Sequence, residues 1–80
     1  MGRVNQVYSS NMLADHISAA LFVYDLRRMG INVTVRRLTD HYLITAPDCE
    51  ETRALLTRHE LWEYTKIEDG VVIIKAKMEM

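Results

Sequence analysis

The apolar positions of the chain repeat first with the period of a helix and then with the two-residue period of a strand. The helical segment covers residues 11–29, and Gly30 follows it where a left-handed C-cap favours glycine. Ser9, Ser10 and Asn11 each carry a side-chain oxygen that can accept from the free N–H groups of a first turn. The pattern therefore predicts a long first helix.

A β-hairpin is predicted directly after this helix. Alternating β-branched residues occupy 31–38, Thr39 and Asp40 suit a turn, and the chain returns over residues 41–46. A two-residue loop places Val35 opposite Ile44 and gives the hairpin two different faces. The apolar face carries Val33, Val35, Tyr42 and Ile44, and the polar face carries Thr34, Arg36, His41 and Thr45.

The second half of the chain follows the same plan. Pro47 has no N–H to donate and ends the strand pairing. Asp48 and Glu51 have the spacing of a capping box, which predicts a second helix that ends near Glu60. One face of this helix is expected to pack inward, and it carries Thr52, Leu55, Leu56 and His59.

The dipeptide Asp69-Gly70 predicts a second hairpin, because a type I′ turn needs positive φ at both central residues. Strands over residues 62–68 and 71–77 then pair. Residues 71–74 are all apolar without alternation, which favours a strand that is covered on both faces or lies in the centre of the sheet.

These elements predict one α+β domain covering residues 1–80, with an antiparallel sheet of about four strands and two helices on one face. The element order is αββαββ. It becomes the ferredoxin-like βαββαβ if residues 1–8 form a strand and residues 62–68 do not.

The first helix is apolar around most of its circumference. On a helical wheel, its core side is predicted to carry Leu13, Ile17, Ala20, Leu21 and Tyr24. The polar residues Asn11, Asp15, Ser18 and Asp25 mark the opposite sector, yet Phe22 and Met29 project among them. Phe22, Leu26 and Met29 either complete the small core or form a contact surface, for another protein or for a second copy of the chain, and we favour the contact surface. Trp62 and Tyr64 are further candidates, because aromatic residues are enriched in binding surfaces.

The composition is typical of a folded domain, and it limits the kinds of partner and of covalent cross-link that the chain can have. The chain is 49% hydrophobic and 26% charged, with a net charge of −1, so charge alone does not predict binding to nucleic acid or to an acidic membrane. Cys49 is the only cysteine, which excludes an internal disulfide and favours a cytoplasmic location. The sequence carries neither the pattern of a signal peptide nor an apolar run of membrane-spanning length, so no membrane association is expected.

No catalytic or metal-binding motif is present. His16, His41 and His59 have no zinc-site spacing, and the three glycines form no phosphate-binding loop. Cys49 lies near the predicted start of the second helix, but a small buried or half-buried cysteine is a more economical explanation than a nucleophile without a base. We expect neither an enzyme nor a bound cofactor.

A nucleic-acid site is the alternative hypothesis. Its main candidate residues are Arg36, Arg37 and His41, and the further basic residues that support it are Arg27, Arg28, Lys75 and Lys77. The exposed hairpin face offers no aromatic residue, whereas sheet-based RNA readers stack bases on such residues. Binding to another protein, without catalysis, is the function that the sequence favours. Small size and the lack of catalytic motifs are also typical of phage or mobile-element inhibitors such as anti-CRISPR proteins.

Overall fold

The computed structural model describes residues 12–78, which fold in the order αββαββ. Helix α1 spans His16–Arg28 and helix α2 spans Glu50–Arg58. The strands are β1 (Thr34–Arg37), β2 (His41–Pro47), β3 (Thr65–Glu68) and β4 (Val71–Lys77), and a 3-10 turn, Trp62–Tyr64, precedes β3. The predicted two-layer α+β domain is confirmed, with the first of the two predicted element orders. The predicted strand over residues 1–8 lies outside the described residues.

The sheet has the order β1-β2-β4-β3, and every neighbouring pair is antiparallel. Val35 pairs with Ile44 in the first hairpin, so the register predicted from the loop length is confirmed. The two hairpins join through β2 and β4, which makes β4 a central strand as its unbroken apolar run predicted. Before α1, Ala14 pairs with Ala76 in a parallel bridge, through Ala14 N–H to Lys75 O (2.8 Å) and Lys77 N–H to Ala14 O (2.9 Å).

Asp69 and Gly70 form the predicted turn between β3 and β4. Their φ angles are +53° and +77°, the positive values that a type I′ turn requires at both central positions. Glycine adopts such values without steric cost, and aspartate tolerates them better than most residues. The local sequence therefore determines this hairpin.

The described residues form two αββ units, α1-β1-β2 and α2-β3-β4. Adding 30 to a residue number of the first unit gives the equivalent residue of the second, and this equivalence extends to individual hydrogen bonds. Each helix ends in a Schellman-type motif with a left-handed residue, Gly30 (φ +78°) after α1 and Glu60 (φ +57°) after α2. Ile44 pairs with Ile74 at the centre of the β2–β4 ladder, so the units meet about an approximate two-fold axis. The equivalent pairs are Ile31 N–H to Leu26 O and Leu61 N–H to Leu56 O after the helices, and Val35–Ile44 and Thr65–Ile74 in the hairpins.

Helix α1 begins at His16, five residues later than predicted. Its N-cap is Asp15, whose Oδ2 accepts from the N–H groups of Ile17 (3.0 Å) and Ser18 (3.1 Å). Because Asp15 satisfies the first-turn donors, the predicted capping role of Ser9, Ser10 or Asn11 is wrong for this helix.

The predicted core side of α1 is also wrong. Ala19, Phe22 and Leu26 face the sheet and α2, with Phe22 and Leu26 fully buried. The reason lies in the polar residues used to mark the solvent side. Asp15 is a cap rather than part of a helical face, and Asp25 accepts from His59 Nε2 at 2.9 Å across the helix pair. Phe22 and Leu26 are therefore core residues, and their assignment to a contact surface is corrected.

Helix α2 packs as predicted but starts differently. Thr52, Leu55 and Leu56 are buried in the core, and His59 is nearly so. The N-cap is Cys49, which makes no side-chain capping hydrogen bond. Asp48 instead accepts two hydrogen bonds from the Arg53 guanidinium, at 2.6 and 3.0 Å, so the predicted capping box does not form.

Candidate interaction surfaces

The first candidate surface is an apolar stripe on the outside of α1, which we call the outer stripe: Ile17, Leu21 and Tyr24. The spacing i, i+4, i+7 places the three side chains on one face, opposite the buried Phe22 and Leu26. Their exposed fractions are 66%, 49% and 58%. Helix α1 is therefore apolar on two opposite sides, and only one of them is covered by the described part of the chain.

An apolar groove runs beside the outer stripe, between α1 and the first hairpin. Its volume is about 220 Å³, and it is lined by His16, Ala19, Ala20, Val23, Val35, Tyr42, Ile44 and Ala76. Ala20 is exposed and lies between groove and stripe on the helical wheel, so the two surfaces are continuous. An engineered cavity of about 150 Å³ holds benzene, so this groove has room for an aromatic or large aliphatic side chain.

The other residues predicted to contact a partner are dispersed. Met29 is exposed at the C-cap of α1, and Tyr64 is half-buried against the core. Trp62 lies against α2, where its Nε1–H donates to Thr57 Oγ1 at 2.8 Å and the Arg53 guanidinium lies 6.0 Å from its ring centre. Trp62 is thus held by α2 and does not extend the outer stripe.

The second candidate surface is the face of the sheet opposite the helices, which we call the open face. Residues paired in register point to the same side of a sheet, and Ile44, Val72 and Ile74 point into the core. Their neighbours in each strand therefore form the open face. It carries Thr34 and Arg36 of β1, His41, Leu43 and Thr45 of β2, Lys66 and Glu68 of β3, and Val71, Ile73, Lys75 and Lys77 of β4.

The open face is basic, although the whole chain has a net charge of −1. Arg36 and Lys75 flank Leu43 in one cross-strand row, and Lys66 lies beside Ile73 in the next row. Together with Lys77, these make four cationic residues, and Glu68 is the one acidic residue among the paired positions of this face. Lys66 Nζ lies 3.7 Å from Glu68 Oε1, a long contact between exposed groups that neutralises little.

The three main residues of the nucleic-acid hypothesis, Arg36, Arg37 and His41, do not form one site. Arg36 is exposed on the open face, whereas Arg37 shares the opposite face with Tyr42. His41 belongs to the open face, but its Nδ1 is hydrogen-bonded to Asp40 Oδ1 at 2.7 Å and its buried Nε2 has no partner among the described residues. This hydrogen bond also lowers the pKa of Asp40. Lys75 and Lys77, which the hypothesis also includes, do join Arg36 on the open face, and the strand pairing adds Lys66 of β3 to them.

The polar groups of residues 12–78 show no arrangement for metal binding. Within this range, no three His, Cys, Asp or Glu side chains come close enough to hold an ion. Cys49 is half-buried, as expected, and its Sγ lies 3.3 Å from Thr52 Oγ1.

Neither described helix has the length and apolar character needed to cross a membrane. Comparison of the chain with protein-family models, with curated proteins and with solved structures finds no match.

Proposed function

We propose that this protein is a non-enzymatic protein-binding module whose contact surface is the outer stripe together with the adjacent groove. The exposure of Ile17, Leu21 and Tyr24 on one helical face carries the proposal. Single exposed apolar residues are ordinary on a protein surface, but three in a row beside an apolar groove form a contiguous patch.

The residue types of this patch suit binding to a protein. Fully burying an Ile or Leu side chain contributes about 1.5–3 kcal/mol, and the fold realises only part of this gain at the outer stripe. The Arg28 guanidinium lies 5.6 Å from the centre of the Tyr24 ring, and Tyr and Arg are both enriched among residues that dominate binding energy. A partner would contact the stripe and insert an apolar side chain into the groove. That partner is another protein or a second copy of the chain.

The mode of action we propose is steric, since a small domain that binds in this way covers a surface of its partner. Inhibition by occupying that surface follows directly from such binding. An origin in a phage or mobile element, with an anti-CRISPR role, stays a hypothesis based on size and on the lack of catalytic motifs.

The test is an affinity pull-down from the native host with mass spectrometry, using the wild type, Leu21→Asp and Ala54→Asp. Ala54 is exposed on α2, so its variant places the same charge on the other helix. We expect a partner that the wild type and Ala54→Asp retain and that Leu21→Asp loses, with all three melting temperatures nearly equal. Retention of the same proteins by Leu21→Asp would show that the outer stripe is not the contact surface.

Self-association needs its own measurement, because a second copy of the chain would not appear as a new protein. Light scattering coupled to size-exclusion chromatography of the same variants separates this case from binding to a different protein. A dimer of the wild type and Ala54→Asp that Leu21→Asp dissociates would identify the second copy as the partner.

A further inference from the structure

We infer that the open face is a second docking surface, and that it takes a protein segment with an apolar centre and an acidic rim. This goes beyond the proposed function, because the open face lies on the opposite side of the sheet from α1. Two observations carry it: the separation of charge between the two sides of the molecule, and the aliphatic residues enclosed by the cationic ones.

The charge separation is marked for so small a domain. The paired positions of the open face hold Arg36, Lys66, Lys75 and Lys77 against Glu68, with Asp40 at the rim beside His41, and the chain as a whole holds 10 basic and 11 acidic residues. The acidic excess therefore lies elsewhere, for example at Glu50 and Glu51 on the exposed side of α2. Strands lie about 4.8 Å apart, so Arg36 and Lys75, two strands apart in one row, are separated by roughly 10 Å at their Cα atoms. Charges at this spacing act together on one anionic partner.

The centre of the open face is aliphatic. Leu43 and Ile73 lie on the two central strands, β2 and β4, and Val71 lies next to Ile73 on the same side of β4. All three are half-buried, so part of each side chain is still exposed to water. Apolar residues in the middle and charged residues around them are the usual anatomy of a protein interface.

This arrangement favours a protein over a nucleic acid as the occupant. A sheet that reads single-stranded RNA displays aromatic rings for stacking, and the open face has none of Phe, Tyr or Trp at its paired positions. A duplex would contact the cationic residues through its phosphates but would leave Leu43 and Ile73 against a charged backbone. An acidic amphipathic segment of a protein complements both parts of the open face, because its apolar side chains cover the aliphatic centre and its carboxylates contact the cationic residues around it.

The experiment titrates the full chain into three fluorescent probes at physiological salt and follows anisotropy. The first probe is a peptide of leucine and glutamate with its leucines at i, i+4 and i+7, the second has the same composition in permuted order, and the third is a short DNA duplex. The variants are Lys75→Glu and Ile73→Thr on the open face, and Arg58→Glu on α2 as a matched charge reversal. Amide chemical shifts at Thr45 and Ile73 locate the bound peptide.

We expect the ordered peptide to bind most tightly and to shift the amides of the open face. Lys75→Glu should weaken its binding about tenfold, equal to about 1.4 kcal/mol. Ile73→Thr should weaken its binding but not that of the duplex, and Arg58→Glu should change neither. Tighter binding of the duplex would replace the inference with nucleic-acid binding, and equal binding of the permuted peptide, or no binding at all, would also overturn it.

The same assay separates this inference from the proposed function. Leu21→Asp alters the outer stripe and leaves the open face intact, so it should still bind the ordered peptide. If the peptide binds and no host protein depends on Leu21, the inference stands without the proposed function. If a host protein depends on Leu21 and the peptide does not bind, the proposed function stands alone.

Discussion

Truncation of Phe22 should destabilise the protein strongly, whereas truncation of Ile17 should hardly change its stability, although the two apolar residues are only five positions apart in one helix. Phe22 is fully buried between the sheet and α2, whereas Ile17 is 66% exposed on the outer stripe. Phe22→Ala removes buried carbon atoms and leaves a cavity, which typically costs about 3–5 kcal/mol. Ile17→Ala removes little packing, because most of the side chain is exposed, and should change the free energy of unfolding by less than about 0.5 kcal/mol.

The effect is large relative to the stability of such a domain. A chain of 80 residues has a free energy of unfolding of about 4–12 kcal/mol, so Phe22→Ala removes about a quarter of it or more. The assay is urea denaturation at 25 °C followed by far-ultraviolet circular dichroism. With a slope of about 1–1.5 kcal/mol per molar urea, the midpoint should fall by about 2–5 M. Phe22→Leu removes less volume and gives a measurable transition if Phe22→Ala does not fold.

The comparison has a clear refutation. If Ile17→Ala lowers the midpoint as much as Phe22→Ala does, the outer stripe is covered in the folded protein and α1 packs on both sides. The proposed contact surface would then be lost together with the assignment of the core face. Leu26→Ala and Leu21→Ala form a second matched pair, since Leu26 is fully buried and Leu21 is 49% exposed.

Three further predictions concern local structure. Asp15→Ala removes the N-cap of α1 and should cost about 1 kcal/mol in urea denaturation. Gly70→Ala places a side chain at φ +77° and should cost about 1–2 kcal/mol, although the space around the new Cβ is open. The hydrogen bond from Arg53 holds the pKa of Asp48 below its ordinary value of 3.8, so Arg53→Ala should raise that pKa in an NMR titration. Because the folded pKa is lowered, the stability from this pair is complete above pH 3.8 and is lost as the pH falls through the lowered value.

The elements that the sequence predicted well are those determined by neighbouring residues. Asp69 and Gly70 specify their turn through backbone conformation alone, and the register of Val35 with Ile44 follows from the loop length. Both signals act within a few residues. The second hairpin, the central position of β4 and the inner face of α2 could all be predicted for the same reason.

The candidate surfaces depend on contacts between distant residues, so the sequence could not place them. Asp25 looks like a solvent marker on a helical wheel, but His59, 34 residues away, makes it part of the helix pair. Without that contact, the helical wheel alone does not distinguish the two apolar sides of α1, and it predicts the outer stripe as the core side. Likewise, Lys75 lies beside Leu43 only because β2 and β4 pair in the sheet.

The approximate two-fold axis between the αββ units has a consequence for how the chain folds and how it can misassemble. Each hairpin closes over a short loop, whereas the β2–β4 ladder joins residues as far apart as His41 and Lys77. Local pairings form fastest, so this ladder should close last. Until it does, β2 and β4 each present an unpaired edge, and the matching edge is available on any neighbouring molecule. Two chains that exchange their second units across the Ile44–Ile74 position would satisfy the same ladder, so at high concentration a domain-swapped dimer is the expected kinetic by-product of refolding.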